Sequence, residues 1–289
     1  MWASGTSRGW REERFCVHKL KYISAAGLAF DLDGGDAFVG TAPDLRGRSW
    51  DYSLGARDIR SPRRAAREVT LDVAFADGAA ADALREAADA DVSSGTCGRL
   101  SCGAWSQRAV IVEQAPSMIF GGFVRASVKI VLLDGVWRAH ETTSFAPATA
   151  VGGPSLDVPY DLPHDLSAPP APSSLSVAAQ GACHVGAIVY GPATSPYFAI
   201  AGNTYKVDVS LSDGDYLVID PVSSPKRIYK VSAQGVETDC FSLAVRGTGE
   251  GGGSYIFQRV PHGVHEVSWP RTFGFDLRVY EERGELPWS

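Results

Sequence analysis

Three short stretches carry residue types that could do chemistry. The run Gly247 to Ser254, GTGEGGGS, has the glycine content of a phosphate-cradling loop. A Walker loop also needs a Lys followed by Ser or Thr, so that a cation reaches the phosphates. The run has no Lys, so no such pair is present, and the flanks read as strands; the run reads as a plain loop. His262 and His265 stand three apart beside Glu266. An odd spacing in an extended strand turns the two rings to opposite faces, away from a shared ion. None of the six histidines is paired at the i, i+4 spacing of a helical zinc motif. Cys97 and Cys102, in CGRLSC, have no second pair to complete a zinc knuckle. They read as two thiols facing each other in a hairpin loop, with a disulfide between them left open. There is no GxSxG elbow, no HExxH and no recognisable Cys/His nucleophile pair. Carboxylates are plentiful, but only their separation in space would make a glycosidase pair. The expectation is a chain that is not an enzyme and takes no cofactor and no metal.

One cluster remains. Leu45 to Arg67, LRGRSWDYSLGARDIRSPRRAAR, interleaves Arg46, Arg48, Arg57, Arg60, Arg63, Arg64 and Arg67 with Trp50, Tyr52 and Leu54. A nucleic-acid arm would look similar, yet Asp44, Asp51 and Asp58 punctuate it. Arg with aromatics is also the composition of protein–protein hot spots. The segment is long for a solvated loop in a compact domain. It reads as a subunit contact, with Trp50, Tyr52, Arg57, Arg60, Arg63 and Arg64 as the residues that grip a neighbour.

These stretches need elements to hold them, and the pattern around them is β. Val69, Leu71, Val73 and Phe75 alternate with polar or small residues, as a half-buried strand requires. Asp77-Gly78 breaks that strand and opens one short amphipathic helix, with Ala80, Ala83, Leu84, Ala87 and Ala88 at helical spacing. Arg108 to Glu113 and Phe123 to Leu133 read as strands, the second ending at Asp134-Gly135. Further on, Cys183 to Tyr190, Tyr197 to Ile200, Thr204 to Leu211, Tyr216 to Asp220, Lys226 to Val231, Asp239 to Val245 and Tyr255 to Val260 read as short strands. Ser212-Asp213-Gly214-Asp215 is a hairpin turn among them. A last strand alternates Phe273, Phe275, Leu277 and Val279 with Gly274, Asp276, Arg278 and Tyr280, and stops at Pro287-Trp288. Phe273, Phe275, Leu277 and Trp288 are its packing anchors.

The 289 residues suit two domains, and the 31 glycines and 17 prolines favour a turn-rich β protein. Seven prolines between Ala146 and Ser174 exclude a helix or central strand there, because proline lacks an amide donor. The reading is mainly β: residues 1–146 form a β-sandwich with one helix, 147–174 a linker, and 175–289 a second β-sandwich. With 27 Lys and Arg against 33 Asp and Glu, the net charge of −6 argues against a nucleic-acid footprint and against anionic lipid. No apolar run is long enough to span a membrane, and no secretory segment is expected. Five scattered cysteines, Cys16, Cys97, Cys102, Cys183 and Cys240, do not make a disulfide framework and point to synthesis in a reducing cytosol.

Several of these segments together resemble the distal tail protein (Dit) family of long-tailed bacteriophages. REVTLDVAF (Arg67 to Phe75), the helix ending ADADV (Ala88 to Val92) and VKIVLLDGVW (Val128 to Trp137) are similar to its N-terminal belt domain. The Asn203-Thr-Tyr205 strand entry, the Gly214 to Asp220 hairpin, PHGVHEVSW, FGFDLRVYEER and the final Pro-Trp are similar to its C-terminal, galectin-like domain. The resemblance implies a homo-hexameric ring in the tail tip (baseplate) of the virion, assembled in the host cytoplasm. That ring would join the tail tube protein to the tail-associated hub protein and support receptor-binding proteins. DNA would pass through its channel without a binding site. The alternative from a different class is a carbohydrate-binding module for a host wall or surface glycan, built on the second sandwich.

Overall fold

A computed structural model describes residues 20–40, 42–148, 174–179, 181–247 and 254–287. Cys16, most of the proline-rich linker, residues 248–253 of the glycine-rich run and Trp288 lie outside them. The described residues fall into two compact units, divided at Arg138/Ala139 and again at Glu282/Arg283. Strand residues 139–145 therefore belong to the second unit, and 283–287 to the first.

The first unit is built on an antiparallel sheet. Ala37–Val39 pairs with Arg67–Phe75, which pairs with Phe123–Leu132, which pairs with Trp105–Phe120. Gly98–Cys102, Leu20–Ile23 and Ala29–Asp31 continue the order. Along Arg67–Phe75 the expected alternation is followed without a break, with Val69, Leu71, Val73 and Phe75 buried and the residues between them exposed. Strands from both ends of the order, Leu20 and Tyr22 at one and Val39 and Val73 at the other, contribute to a single core.

The helix, Gly78–Ser93, starts where the sequence places it, because the Asp77 side chain caps it by accepting the Ala80 amide at 2.8 Å. Its buried face is Ala81, Leu84, Ala87, Ala88 and Asp91, so Ala83 turns outward. Asp91 breaks the apolar pattern for a reason found two strands away. Its carboxylate accepts the Tyr22 hydroxyl at 2.7 Å and the Ala25 amide at 3.0 Å. Burial, and then this bond to a carboxylate, pushes the Tyr22 phenol well above its usual range. Only glycine fits at Gly98, where a Cβ would lie 2.5 Å from the Ile23 carbonyl and 2.6 Å from the Tyr22 hydroxyl.

Trp105–Phe120 runs seven residues beyond the expected end at Glu113. Pro116 would normally stop a paired strand. Here Val112 and Ser117 are the extra residues at two register shifts against Phe123–Leu132, so the ladder absorbs the irregularity as bulges. The two strands are joined by Gly121-Gly122, both with φ in the left-handed region at +57° and +95°. That is the two-residue turn whose twist matches antiparallel strands. At the other end, buried Asp134 accepts the Arg108 amide at 3.0 Å and pairs with the guanidinium groups of Arg108 and Arg138 at 2.8 and 3.1 Å.

The second unit is a sandwich of two antiparallel sheets. One has the order Glu237–Asp239, Arg227–Val231, Tyr216–Asp220, His184–Tyr190, Phe275–Arg283, Trp137–Phe145. The other has the order Ser174–Val177, Gly263–Ser268, Tyr197–Ile200, Asn203–Lys206. Phe275 is the hub between them. Its ring stacks on Phe145 at 4.9 Å and on Phe198 at 5.1 Å, and meets the edge of Trp269 at 5.4 Å. Phe273, Phe275 and Leu277 are all buried. The expected turn at Ser212 to Asp215 is locked by Asp215, which accepts the amides of Ser212 and Ala233 and pairs with Lys230 at 2.7 Å. Three expectations are corrected here. Thr204 to Leu211 divides into Asn203–Lys206 and Ser210–Leu211. Asp239 to Val245 is instead the end of a strand followed by the 3-10 turn Phe241–Leu243. Tyr255 to Val260 is coil with a bridge at Cys183–Val260, held as well by side-chain hydrogen bonds that Asn203 and Tyr205 donate to its carbonyls. Tyr205, Val207, Leu211, Ala244, Ile256, Phe257 and Val260 are buried in these stretches, while Leu243 and Tyr255 are exposed.

Phe275→Ala is expected to destabilise the protein by about 3–5 kcal/mol in chemical denaturation, the usual cost of emptying a buried aromatic site. Tyr22→Phe is expected to cost about 1–3 kcal/mol at neutral pH by leaving Asp91 short of a donor. Because the folded Tyr22 phenol titrates above the unfolded one, its stabilisation is complete below about pH 10 and is lost as pH climbs through the folded value. The stability of wild type in a pH series should therefore fall more steeply above pH 10 than that of Tyr22→Phe.

Candidate functional site

The arginine-rich stretch is an element of its own. After the 3-10 turn Pro43–Arg46, whose Leu45 is buried, Asp51–Leu54 and Ile59–Arg63 pair only with each other as a small antiparallel hairpin. The Gly55 amide closes its turn on the Asp58 carbonyl at 2.8 Å. Every residue of both strands is exposed. An isolated two-stranded hairpin is marginally stable in water, so this one depends on what it rests against.

The hairpin separates the arginines into two sets. Arg57, Arg60 and Arg63 are exposed, the last two beside Asp58 at 3.5 Å and Asp51 at 4.0 Å. Such surface pairs contribute little to stability, and they leave both guanidinium groups largely in water. Arg64 and Arg67 turn inward. Arg64 pairs with Glu285 at 3.4 Å, lies 4.4 Å over the Trp50 ring, and leaves 17% of its side chain exposed. Arg67 donates to the carbonyls of Gly47 and Leu45 at 3.0 and 3.4 Å. The structure thus brings Trp50, Tyr52 and Arg63 to one surface and gives Arg64 a part in holding Trp50 in place. Trp50, Asp51, Tyr52, Ser53, Ser61 and Arg63 line an open cavity of about 510 Å³.

The other stretches with chemical potential do not converge. Cys97 and Cys102 do not face each other in a loop. They stand at opposite ends of the extended run Gly98–Cys102, roughly 16 Å apart at ~3.3 Å per residue, and neither is in a disulfide. The turn of that hairpin is at Gly103-Ala104, and burial raises the Cys102 thiol to about 11. The two histidines part as their spacing requires. His262 bonds through Nδ1 to the Ala179 carbonyl and His265 through Nε2 to the Pro261 carbonyl, both at 2.9 Å. Among the described residues, no group of three or more His, Cys, Asp or Glu side chains could hold a metal ion.

A second exposed apolar surface was not signalled by the arginine-rich pattern at all. The long hairpin Trp105–Phe120/Phe123–Leu132 projects past its last buried residues, Ile111 and Ala126, so that its end has neither face covered. Ile119 is 74% and Phe120 77% exposed, with Met118 and Phe123 close behind. Phe120-Gly-Gly-Phe123 was the available signal, since a Gly-Gly pair between apolar residues marks a hairpin turn.

No protein-family model matches this sequence, and no curated protein matches it. Solved structures do. A chain of the phage p2 baseplate in its activated conformation with strontium aligns with a TM-score of 0.57 at 10% identity, covering 93% of this chain and 100% of that one. The same baseplate with calcium gives 0.56 at 10% identity, covering 93% and 99%. The SPP1 Dit protein, described as a paradigm of the hub adsorption apparatus of phages infecting Gram-positive hosts, gives 0.54 at 12% identity, covering 92% and 99%. The likeness runs through both units of this chain, and what is shared is a fold.

Reversing the two exposed arginines with Arg60→Glu and Arg63→Glu should change unfolding free energy by no more than about 0.5 kcal/mol. Arg64→Glu should lower it by about 1–3 kcal/mol, because it sets a carboxylate against Glu285 and uncovers Trp50. Denaturant titration of the purified variants checks both.

Proposed function

We propose that this chain is a structural protein of a phage tail tip, a Dit-like component of the virion that forms a ring and performs no catalysis. The observation that carries the reading is the breadth of the fold match. More than nine-tenths of this chain aligns with nearly all of SPP1 Dit and of the p2 baseplate chain. A single shared module would not produce that coverage in both directions.

In this reading the first half is the ring-forming belt and the second half a galectin-like sandwich, joined by the proline-rich segment. Six copies close around a channel; a heterologous contact forms a closed ring when its rotation divides the full turn evenly. The ring connects the tail tube to the hub protein and the host-recognition proteins, and the virion is assembled in the host cytoplasm. Arg57, Arg60 and Arg63, with Trp50 and Tyr52, sit at the contact between neighbours. Their exposure supports that role, since three guanidinium groups and two aromatic rings are available without unfolding anything. Arg64 contributes by fixing the Trp50 ring. The acidic balance of the chain lets DNA pass without being retained.

Light scattering on the purified full chain, with negative-stain imaging, tests the reading. The expected result is a six-subunit mass and ring-shaped particles, weakened by the combined Arg60→Glu and Arg63→Glu change at unaltered stability. A monomer at all concentrations, together with signal on a glycan array, would overturn it in favour of the carbohydrate-binding alternative.

A further inference from the structure

The first unit carries two exposed apolar surfaces on two different hairpins. One protrudes: Met118, Ile119, Phe120 and Phe123 at the end of the long hairpin. The other lies on the small hairpin, where Trp50, Tyr52, Leu54 and Ile59 are exposed beside a cavity of about 510 Å³ that Asp51, Ser53, Ser61 and Arg63 also line. Each remains open to solvent, so neither covers the other within one chain. From the exposed fractions and the usual area of such side chains, each surface offers on the order of 500 Å². Either one is at the upper end of what a monomer ordinarily leaves uncovered.

We infer that the tip of the long hairpin of one copy packs on the exposed Trp50, Tyr52, Leu54 and Ile59 side chains of the small hairpin of the next copy. The inference rests on the ring reading and assigns its contact to particular residues. Two observations select a second copy of this chain as the occupant. The surfaces are matched in size, so mutual burial leaves neither exposed. They lie on different elements, which is what a head-to-tail contact needs and a two-fold contact does not. Together they would bury about 1,000 Å² per contact, the threshold for a specific interface, and each copy would make two such contacts. The contact also explains the small hairpin, which is too short to be stable with both faces in water. The guanidinium of Arg63 at the cavity wall and the nearby Arg57 and Arg60 then form a polar rim around an apolar centre.

The test is site-specific photo-crosslinking in the full chain. Phe120 is replaced by p-benzoylphenylalanine, and unlabelled chains are mixed with ¹⁵N-labelled ones. Irradiation is expected to yield hybrid peptides joining position 120 of one chain to residues 50–63 of another. Tyr52→Asp in the acceptor chain should lower the yield at least tenfold, and Phe120→Asp should shift the mass of the native chain from oligomer to monomer at unchanged thermal unfolding. A six-subunit mass that survives Phe120→Asp, or cross-links that map elsewhere on the neighbour, would overturn this contact and leave the ring standing. A monomer with no inter-chain cross-link at any concentration overturns both. Capture of position 120 by lipid vesicles, in place of a second chain, overturns the contact in favour of membrane insertion.

Discussion

An antiparallel strand can bury one face cheaply only if alternate side chains are apolar and its amides are paired on both edges. Nearly every element of this protein obeys that constraint. Arg67–Phe75 and Phe123–Leu132 place their apolar residues on one side and their charges on the other. Phe275–Arg283 does the same at its start, where Phe275 and Leu277 enter the aromatic core. The two hairpins that break the rule are therefore conspicuous. Asp51–Leu54/Ile59–Arg63 and the end of the long hairpin have apolar side chains but no buried face. Water is a poor environment for such surfaces, and that exposure is what motivates the inter-chain contact proposed above.

The buried polar groups follow a second pattern. Asp91, Asp134 and Asp215 each accept at least one backbone amide and one side-chain donor, and each fixes a point where the chain changes direction. Asn203 does likewise, exchanging two hydrogen bonds with the backbone of Tyr255. A buried carboxylate without partners would be costly; these are satisfied in full and committed to architecture. These four side chains hold turns and strand ends in place.

Much of the fold was legible in the sequence because its signals are local. Period-two alternation marked Arg67–Phe75 and Tyr197–Ile200, the Asp77 cap marked the helix start, and Asp134-Gly135 and the Ser212 to Asp215 turn marked reversals. Where reading failed, a distant partner had intervened. Pro116 looks like a strand end, but bulges against Phe123–Leu132 carry the ladder past it. Tyr255 to Val260 reads as a strand, yet it is held by one backbone bridge and by the side chains of Asn203 and Tyr205. Cys97 and Cys102 look close in sequence, and the extended strand between them pulls them apart.

For the candidate contact the division is similar. The sequence by itself determined that an arginine- and aromatic-rich segment interrupts the first half, that no Walker, zinc or nucleophile motif accompanies it, and that the rest is β with one helix. Composition and periodicity suffice for that, because they act between residues a few positions apart. Only the tertiary structure decided which arginines face water and which hold Trp50, and that Tyr22 needs Asp91. It alone revealed that Met118 to Phe123 form a second apolar surface. Those outcomes depend on which strands pair and where a ladder outruns its core. Burial is a property of the assembled sheet, and no single strand carries it alone.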